Sequence, residues 1–121
     1  MVNALFDTNI LIDFLNEQPK ARAEFARYEL KAISAITWIE VMVGAPQATE
    51  VATRSFLRGF ELIELDEAVS RVAVALRRER KIKLPDAVIW ASARANGLLL
   101  VTRNTKDFPG DDPGVRHPYT L

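Results

Sequence analysis

Short apolar runs alternate along this chain with longer segments in which apolar residues recur at helical spacing. The short runs are bounded by polar or turn-forming residues, as β-strands commonly are. The run LLLVT is almost wholly apolar, which is typical of a strand buried on both faces of a parallel sheet. Predicted strands span residues 2–6, 31–35, 60–65 and 98–102, with a last short strand near 115–118.

The longer segments carry the spacing and the end signals of amphipathic helices. Asp66 is a suitable N-cap for one helix, which runs out in the basic segment RRERKIK at 77–83. Pro85 suits the first turn of the next helix, and Asn96-Gly97 is a suitable end for it. Earlier in the chain, helices are predicted through residues 10–15, 37–44 and 48–59.

Alternating strands and helices predict βαβ crossovers and hence an α/β fold. We expect a single three-layer domain over residues 1–121, with a central, mainly parallel sheet of four or five strands flanked by helices. Ligands of such sheets bind at the carboxyl ends of the strands, where the strand order reverses. Asp7 directly follows the first predicted strand, so we expect it at that edge.

Composition limits the cellular setting. With 49% hydrophobic and 26% charged residues, the sequence is typical of a soluble globular protein. No apolar run approaches the roughly 20 residues that cross a bilayer, and the N-terminus lacks the features of a secretory signal. We therefore expect a cytoplasmic protein with no membrane segment. The formal net charge of zero gives the whole molecule no preference for nucleic acid, so such a partner needs a local patch.

Composition also removes several catalytic classes. The chain has no cysteine and therefore no thiolate nucleophile. Its one histidine, His117, does not suffice for the two-histidine scheme of a metal-free ribonuclease. None of its serines lies in a G-x-S-x-G motif. Carboxylates remain as the candidate catalytic groups.

Four acidic residues stand where a predicted strand ends or the next helix begins: Asp7, Glu40, Asp86 and Asp107. On one parallel sheet they would converge at one edge, where their mutual repulsion favours a bound cation. Oxygen ligands without cysteine or a suitable histidine point to a hard ion, Mg²⁺ or Mn²⁺. Such an ion can turn bound water into a nucleophile and stabilise the leaving oxygen of a phosphodiester.

Each acid also has a purely local explanation. Thr37 and Glu40 fit the S/T-x-x-E capping box, in which Glu40 would bond back to the Thr37 amide. Asp86 lies in a first helical turn, where the helix dipole favours an anion. Asp7 could simply cap a helix, and Asp107 lies in a polar turn where aspartate is common. The joint placement of the four favours a metal site over four separate local roles.

Three stretches of the sequence resemble the PIN domain family, and most closely its VapC toxins: FDTNILID, ITWIEVMVGA and KLPDAVIWASARANGLLLVTRNTKDF. The resemblance covers nearly the whole chain and is least specific over residues 48–83. It implies a Rossmann-like sheet and a Mg²⁺- or Mn²⁺-dependent endoribonuclease of prokaryotes that acts as the toxin of a toxin-antitoxin pair.

The resemblance also assigns residues. Asp7, Glu40, Asp86 and Asp107 match the acidic quartet of the family one for one, as catalytic and metal-binding groups. Three polar residues match positions that orient ligands and water around the quartet: Asn9, Thr102 and Asn104. Family members are usually homodimers, and a cognate antitoxin inhibits them, often with an arginine near the acids. The implied partners are therefore RNA, an antitoxin and a second copy of the chain.

Two other readings use the same fold. A phosphoacceptor signalling domain also gathers carboxylates around Mg²⁺, but it needs a lysine after a late strand, where this chain has Arg103. A non-catalytic module that binds RNA or protein would have the same fold but no catalytic activity. Arg103 and Lys106 flank the Asn104 turn and are candidates for contact with RNA phosphates.

The remaining charged and aromatic features have simpler interpretations. The basic segment 77–83 is interpreted as a solvated helix end, although an RNA phosphate track is the alternative. Trp38 and Trp90 lie among apolar neighbours and are expected to pack in a core or an interface. Asp13 and Glu17 are expected to face solvent from the first helix.

Overall fold

The computed structural model describes residues 3–121, which form five strands and six α-helices. The strands are β1 Ala4–Phe6, β2 Lys31–Ser34, β3 Glu61–Ile63, β4 Leu99–Val101 and β5 Val115–Arg116. The helices are α1 Thr8–Leu15, α2 Pro19–Phe25, α3 Ala35–Gly44, α4 Glu50–Leu57, α5 Glu67–Glu79 and α6 Leu84–Ala95, and a 3₁₀ turn, Gln47–Thr49, precedes α4. Residue 2 of the first predicted strand lies outside the described residues.

All neighbouring strands of the sheet are parallel, in the order β3-β2-β1-β4-β5. The chain moves outward from β1 through β2 to β3, and then crosses to β4 on the other side of β1. The strand order therefore reverses between β1 and β4, where side-by-side pairs include Phe6 and Val101. Parallel sheets bind their ligands at this kind of reversal, beyond the carboxyl ends of the two strands.

Helices cover both faces of the sheet, because successive strand residues point to opposite sides. Leu5 and Leu100 belong to one buried cluster, with α5 and α6. Ala4, Phe6 and Val101 belong to the other, with α1, α2 and parts of α3 and α4. The predicted three-layer α/β fold with a parallel central sheet is confirmed. Within residues 3–121, no helix combines the length and apolar character needed to cross a membrane.

The predicted element ends agree with the structure at several points. The Asp66 side chain accepts a hydrogen bond from the Val69 amide and caps α5. Asn96 is the C-cap of α6, and Gly97 follows it with a φ of 65°, a left-handed conformation that glycine adopts without strain. Helix α2 was not predicted. It begins with Pro19 at its first turn, and the Gln18 side chain accepts from the Lys20 amide.

The tryptophans pack as predicted. Trp90 is buried and meets Phe108 edge to face, with ring centres 5.6 Å apart. The guanidinium of Arg80 lies 4.9 Å from the centre of the Trp90 ring, and the Arg77 side chain donates to the carbonyl of Ile82. These two arginines of the basic segment 77–83 therefore contact their own helix end and core, which favours the structural interpretation of that segment. Trp38 packs against the cluster that contains Phe6.

Candidate active site

Asp7 lies at the point where the strand order reverses. It follows β1, its backbone amide donates to the Val101 carbonyl of β4, and it is the N-cap of α1. Its Oδ1 accepts from the Thr8 amide at 2.7 Å. Its Oδ2 accepts from Thr102 Oγ1 at 2.7 Å and from Asn9 Nδ2 at 3.1 Å. Both oxygens of this carboxylate, which is only 5% exposed, are therefore held by neutral donors.

Burial raises the pKa of Asp7 from 3.8 to about 6, because a charged carboxylate is poorly solvated there. The hydrogen bonds from Thr102 and Thr8 lower this pKa, whereas the charges of Asp86 and Glu40 raise it further. The side chains of Thr102 and Asn9 and the Thr8 amide are its hydrogen-bond donors, and none of the ion pairs within residues 3–121 includes Asp7. Asp7 is thus a buried carboxylate that no basic side chain of the described residues pairs with.

Glu40 reaches the site from α3 and is exposed. Its Oε1 accepts from Thr8 Oγ1 at 2.6 Å, which connects it to the residue after Asp7. The capping-box interpretation of Glu40 is wrong. The N-cap of α3 is Ser34, whose Oγ accepts from the Thr37 amide at 3.1 Å, so the helix begins at Ala35, two residues before Thr37, and Glu40 is not in its first turn.

Asp86 lies in the first turn of α6 and is half-buried. Burial raises its pKa, the negative charges of Asp107 and Glu40 raise it further, and Lys83 opposes them. Since Asp86 also raises the pKa of Asp7, it lies within electrostatic reach of all three other acids. Asp86 is therefore the member that joins the four into one cluster.

Asp107 ends a polar turn that starts at Thr102. Asn104 Nδ2 donates to Asp107 Oδ2 at 3.0 Å, and Asn104 Oδ1 accepts from the amides of Lys106 and Asp107, each at 3.1 Å. The Asn104 amide donates to Thr102 Oγ1 at 3.0 Å, and that hydroxyl donates to Asp7. A continuous chain of hydrogen bonds therefore runs from Asp7 through Thr102 and Asn104 to Asp107.

The structure thus places the four predicted acids in one electrostatic neighbourhood, with Asn9, Thr102 and Asn104 bonded to two of them. As placed, no group of three or more Asp, Glu or His side chains within residues 3–121 is gathered closely enough to hold one metal ion. Glu40 and Asp107 are bonded to Thr8 and Asn104 instead. The donor chemistry suits a hard divalent ion, because carboxylate oxygens are the ligands that such ions prefer.

Asp13 was predicted to face solvent, and this is wrong. It is only 6% exposed and accepts from Arg103 Nε at 2.6 Å and Nη2 at 3.0 Å. Tyr119 Oη adds a third bond at 2.8 Å. The available signal was its spacing, three residues after Ile10 on the buried side of α1. Lys106, the other candidate for phosphate contact, is exposed at the edge of the site.

The hydrogen bond from the Thr102 hydroxyl lowers the pKa of Asp7, which burial raises. Replacing Thr102 with Val removes a donor to the carboxylate, so we expect the pKa of Asp7 to rise above about 6. Carboxyl-carbon NMR of Asp7 across pH 4–8 measures this shift. Ser92→Ala is the matched control, because it removes another buried 2.7 Å hydroxyl bond, from Ser92 Oγ to the Val88 carbonyl within α6. An unchanged Asp7 titration in Thr102→Val would contradict the expectation.

The fold and the site together define a class of protein: a parallel α/β domain with an acidic cluster at its topological switch point. The family model described as "PIN domain" matches residues 4–109, and the chain belongs to this family. The family resemblance found in the sequence is confirmed.

Three relatives illustrate the similarity. A tRNA(fMet)-specific endonuclease VapC from Shigella flexneri is 28% identical over an alignment of 122 positions, gaps included, that covers 89% of this chain and 91% of the relative. A chain of a toxin-antitoxin complex from Klebsiella pneumoniae is 48% identical with a TM-score of 0.93, over 98% of this chain and 100% of that one. A chain of DNA-bound VapBC from Salmonella typhimurium is 26% identical with a TM-score of 0.78, over 96% of each chain.

Proposed function

We propose that this chain is a VapC-type toxin, an endoribonuclease that hydrolyses RNA phosphodiesters with the help of a divalent cation, Mg²⁺ or Mn²⁺. The observation that carries the proposal is the cluster of four acids, in which the pKa values of Asp7 and Asp86 are raised by burial and by neighbouring acids. The similarity to the Shigella endonuclease and to the Klebsiella complex supports it.

In this proposal Asp7, Glu40, Asp86 and Asp107 are the metal-binding and catalytic groups. These carboxylates would hold the divalent ion, whose chemistry when bound would be to activate water and to stabilise charge on the phosphodiester. The chain's own residues hold the ligands: Thr102 and Asn9 orient Asp7, Thr8 orients Glu40, and Asn104 orients Asp107. In the structure Glu40 and Asp107 keep these bonds, which leave each carboxylate a second oxygen that could serve an ion.

The proposed partners follow from the same site and from the relatives. An RNA substrate would approach an edge that also carries Lys106 and Arg103, which are candidates for phosphate contact. A cognate antitoxin is proposed because the Klebsiella and Salmonella relatives are described as parts of toxin-antitoxin complexes. We also propose a homodimer and a location in the prokaryotic cytoplasm, where such a toxin meets its RNA.

The phosphoacceptor alternative loses support in the structure. The residue after Thr102 is an arginine whose guanidinium is paired with Asp13, so that position offers no lysine to an acyl phosphate. Incubation with acetyl phosphate and Mg²⁺, followed by mass measurement, is expected to show no phosphorylated chain.

Direct cleavage tests the proposal. The full chain, purified free of any copurifying partner, is incubated with a total RNA pool in Mn²⁺, in Mg²⁺ and in EDTA. We expect discrete RNA fragments with either ion and none with EDTA. Intact RNA in every divalent condition, from protein that is folded and free of partner, would overturn the nuclease proposal and favour a non-catalytic module.

A further inference from the structure

Arg103 occupies an unusual position relative to the acidic cluster. The residue before it, Thr102, donates to Asp7, and the residue after it, Asn104, donates to Asp107. Its backbone amide donates to Asn9 Oδ1 at 3.2 Å. A permanent cation therefore stands in the chain between two residues that bind the site acids, yet Arg103 forms no hydrogen bond with Asp7 or Asp107.

The side chain of Arg103 is directed to Asp13 instead. Its two bonds of 2.6 and 3.0 Å form a bidentate pair, which is the strongest geometry for a guanidinium and a carboxylate. Asp13 is buried, and Tyr119 Oη completes its set of donors. Asp13 lies six residues after Asp7 along α1, about 9 Å further along the axis at 1.5 Å per residue. The pair thus holds the guanidinium along the helix, away from its start.

Asp13 and the site acids are competing partners for the same cation. An arginine next to uncompensated carboxylates pairs with them unless another carboxylate binds it better. Both guanidinium bonds go to Asp13, and Asp7 and Asp107 take their hydrogen bonds from neutral donors instead. If the Asp13 carboxylate were lost, Asp7 and Asp107 would be alternative partners for the guanidinium, because the residues on either side of Arg103 donate to them.

We infer that Asp13 is a positioning residue that holds the Arg103 guanidinium away from the four acids and so keeps the cluster free for an external cation. The inference rests on the proposed function, in which that cation is Mg²⁺ or Mn²⁺. A purely structural role of the pair, joining α1 to the loop after β4, is the competing explanation.

Mn²⁺ binding to the full chain separates the two explanations without any need for activity. Isothermal titration compares the wild type with Asp13→Asn, Arg103→Gln and the double variant. We expect Asp13→Asn to bind Mn²⁺ about tenfold more weakly, as it would if the freed guanidinium occupied the acids in about nine of ten molecules. Arg103→Gln and the double variant are expected to bind like the wild type, because the competing cation is gone.

Matched variants complete the test. Tyr119→Phe removes one bond to Asp13 and keeps the ion pair, so it is expected to retain wild-type affinity. Asp13→Glu keeps a carboxylate and is expected to retain most of the wild-type affinity for Mn²⁺. Circular dichroism checks each variant for folding, and Asp13→Ala replaces Asp13→Asn if that variant does not fold.

The decisive result is whether adding Arg103→Gln to Asp13→Asn restores the affinity for Mn²⁺. Unchanged affinity in Asp13→Asn, or a double variant as weak as Asp13→Asn, would overturn the positioning role and leave a structural pair. Absence of Mn²⁺ binding in the wild type would instead overturn the proposed metal-dependent function itself, so the two failures are distinguishable.

Discussion

Replacing Asp86 with Asn is expected to lower the rate of RNA cleavage by about 10²–10³-fold, because one ligand of the proposed ion and several kcal/mol of charge stabilisation are lost. Asp86 is the best single target, since it acts electrostatically on Asp7 and is acted on by Glu40 and Asp107. Asparagine keeps the shape of the side chain in the first turn of α6. Initial cleavage rates on one labelled RNA at saturating Mn²⁺ measure the effect.

Asp66→Asn is the matched control for this variant. It makes the same chemical change at the start of another helix, α5, and asparagine caps a helix as well as aspartate does. Cleavage by Asp66→Asn is expected to equal that of the wild type. Retained cleavage in folded Asp86→Asn would count strongly against a catalytic role for the acidic cluster.

The placement of Asp7 and Asp107 could be predicted because it depends on topology, whereas Asp86 follows helix α5 and Glu40 lies within α3. Carboxyl ends of parallel strands share one edge, so residues that follow strands in the sequence meet in space. The bonds each acid makes could not be predicted in the same way. Glu40 fitted a capping box, but Ser34, at the end of β2, takes the Thr37 amide and starts α3 earlier. The Ser34 hydroxyl, three residues before Thr37, therefore caps the helix, and Glu40 has no part in the cap.

Helix α2 was not predicted from the hydrophobic pattern, for a different reason. It spans only seven residues, and its fully buried contacts with the core come from Ala21 and Phe25 among charged neighbours. Such a short segment gives little periodicity to detect. Its buried Glu24 is neutralised by Arg116, 92 positions away, with bonds of 2.7 and 3.1 Å. Tertiary contacts, and not local propensity, hold this helix in place.

The prediction that Asp13 faces solvent was wrong because contacts between distant segments bury it. A carboxylate in a short helix normally faces water, because burying an unpaired charge is costly. Its burial is permitted by Arg103, which lies 90 positions later in the chain, and by Tyr119 near the C-terminus. A single sequence does not show that these residues are in contact. Buried ion pairs between distant segments are therefore the part of this site that only the structure reveals.

Replacing Asp7 with Asn is expected to stabilise the fold above pH 6 while it removes a proposed catalytic group. Folding raises the pKa of Asp7 from 3.8 to about 6, so the folded state holds this proton more tightly than the unfolded state. Wild-type stability should therefore fall as pH rises from about 4 to 6. Asparagine does not ionise, and the expected gain at pH 7.5 is about 1–3 kcal/mol, the lower figure allowing for one lost hydrogen-bond acceptor.

Urea unfolding at pH 4, 5, 6 and 7.5, in EDTA, measures this gain as the difference between variant and wild type. The difference should grow from pH 4 to 6 and then remain constant. Asp111→Asn is the control, because it removes the same charge from an exposed position and should give no comparable gain. Equal stability of Asp7→Asn and wild type at pH 7.5 would mean that burial of Asp7 costs little. In that case the acid could not be an uncompensated charge kept for a cation, and the electrostatic basis of the site would be wrong.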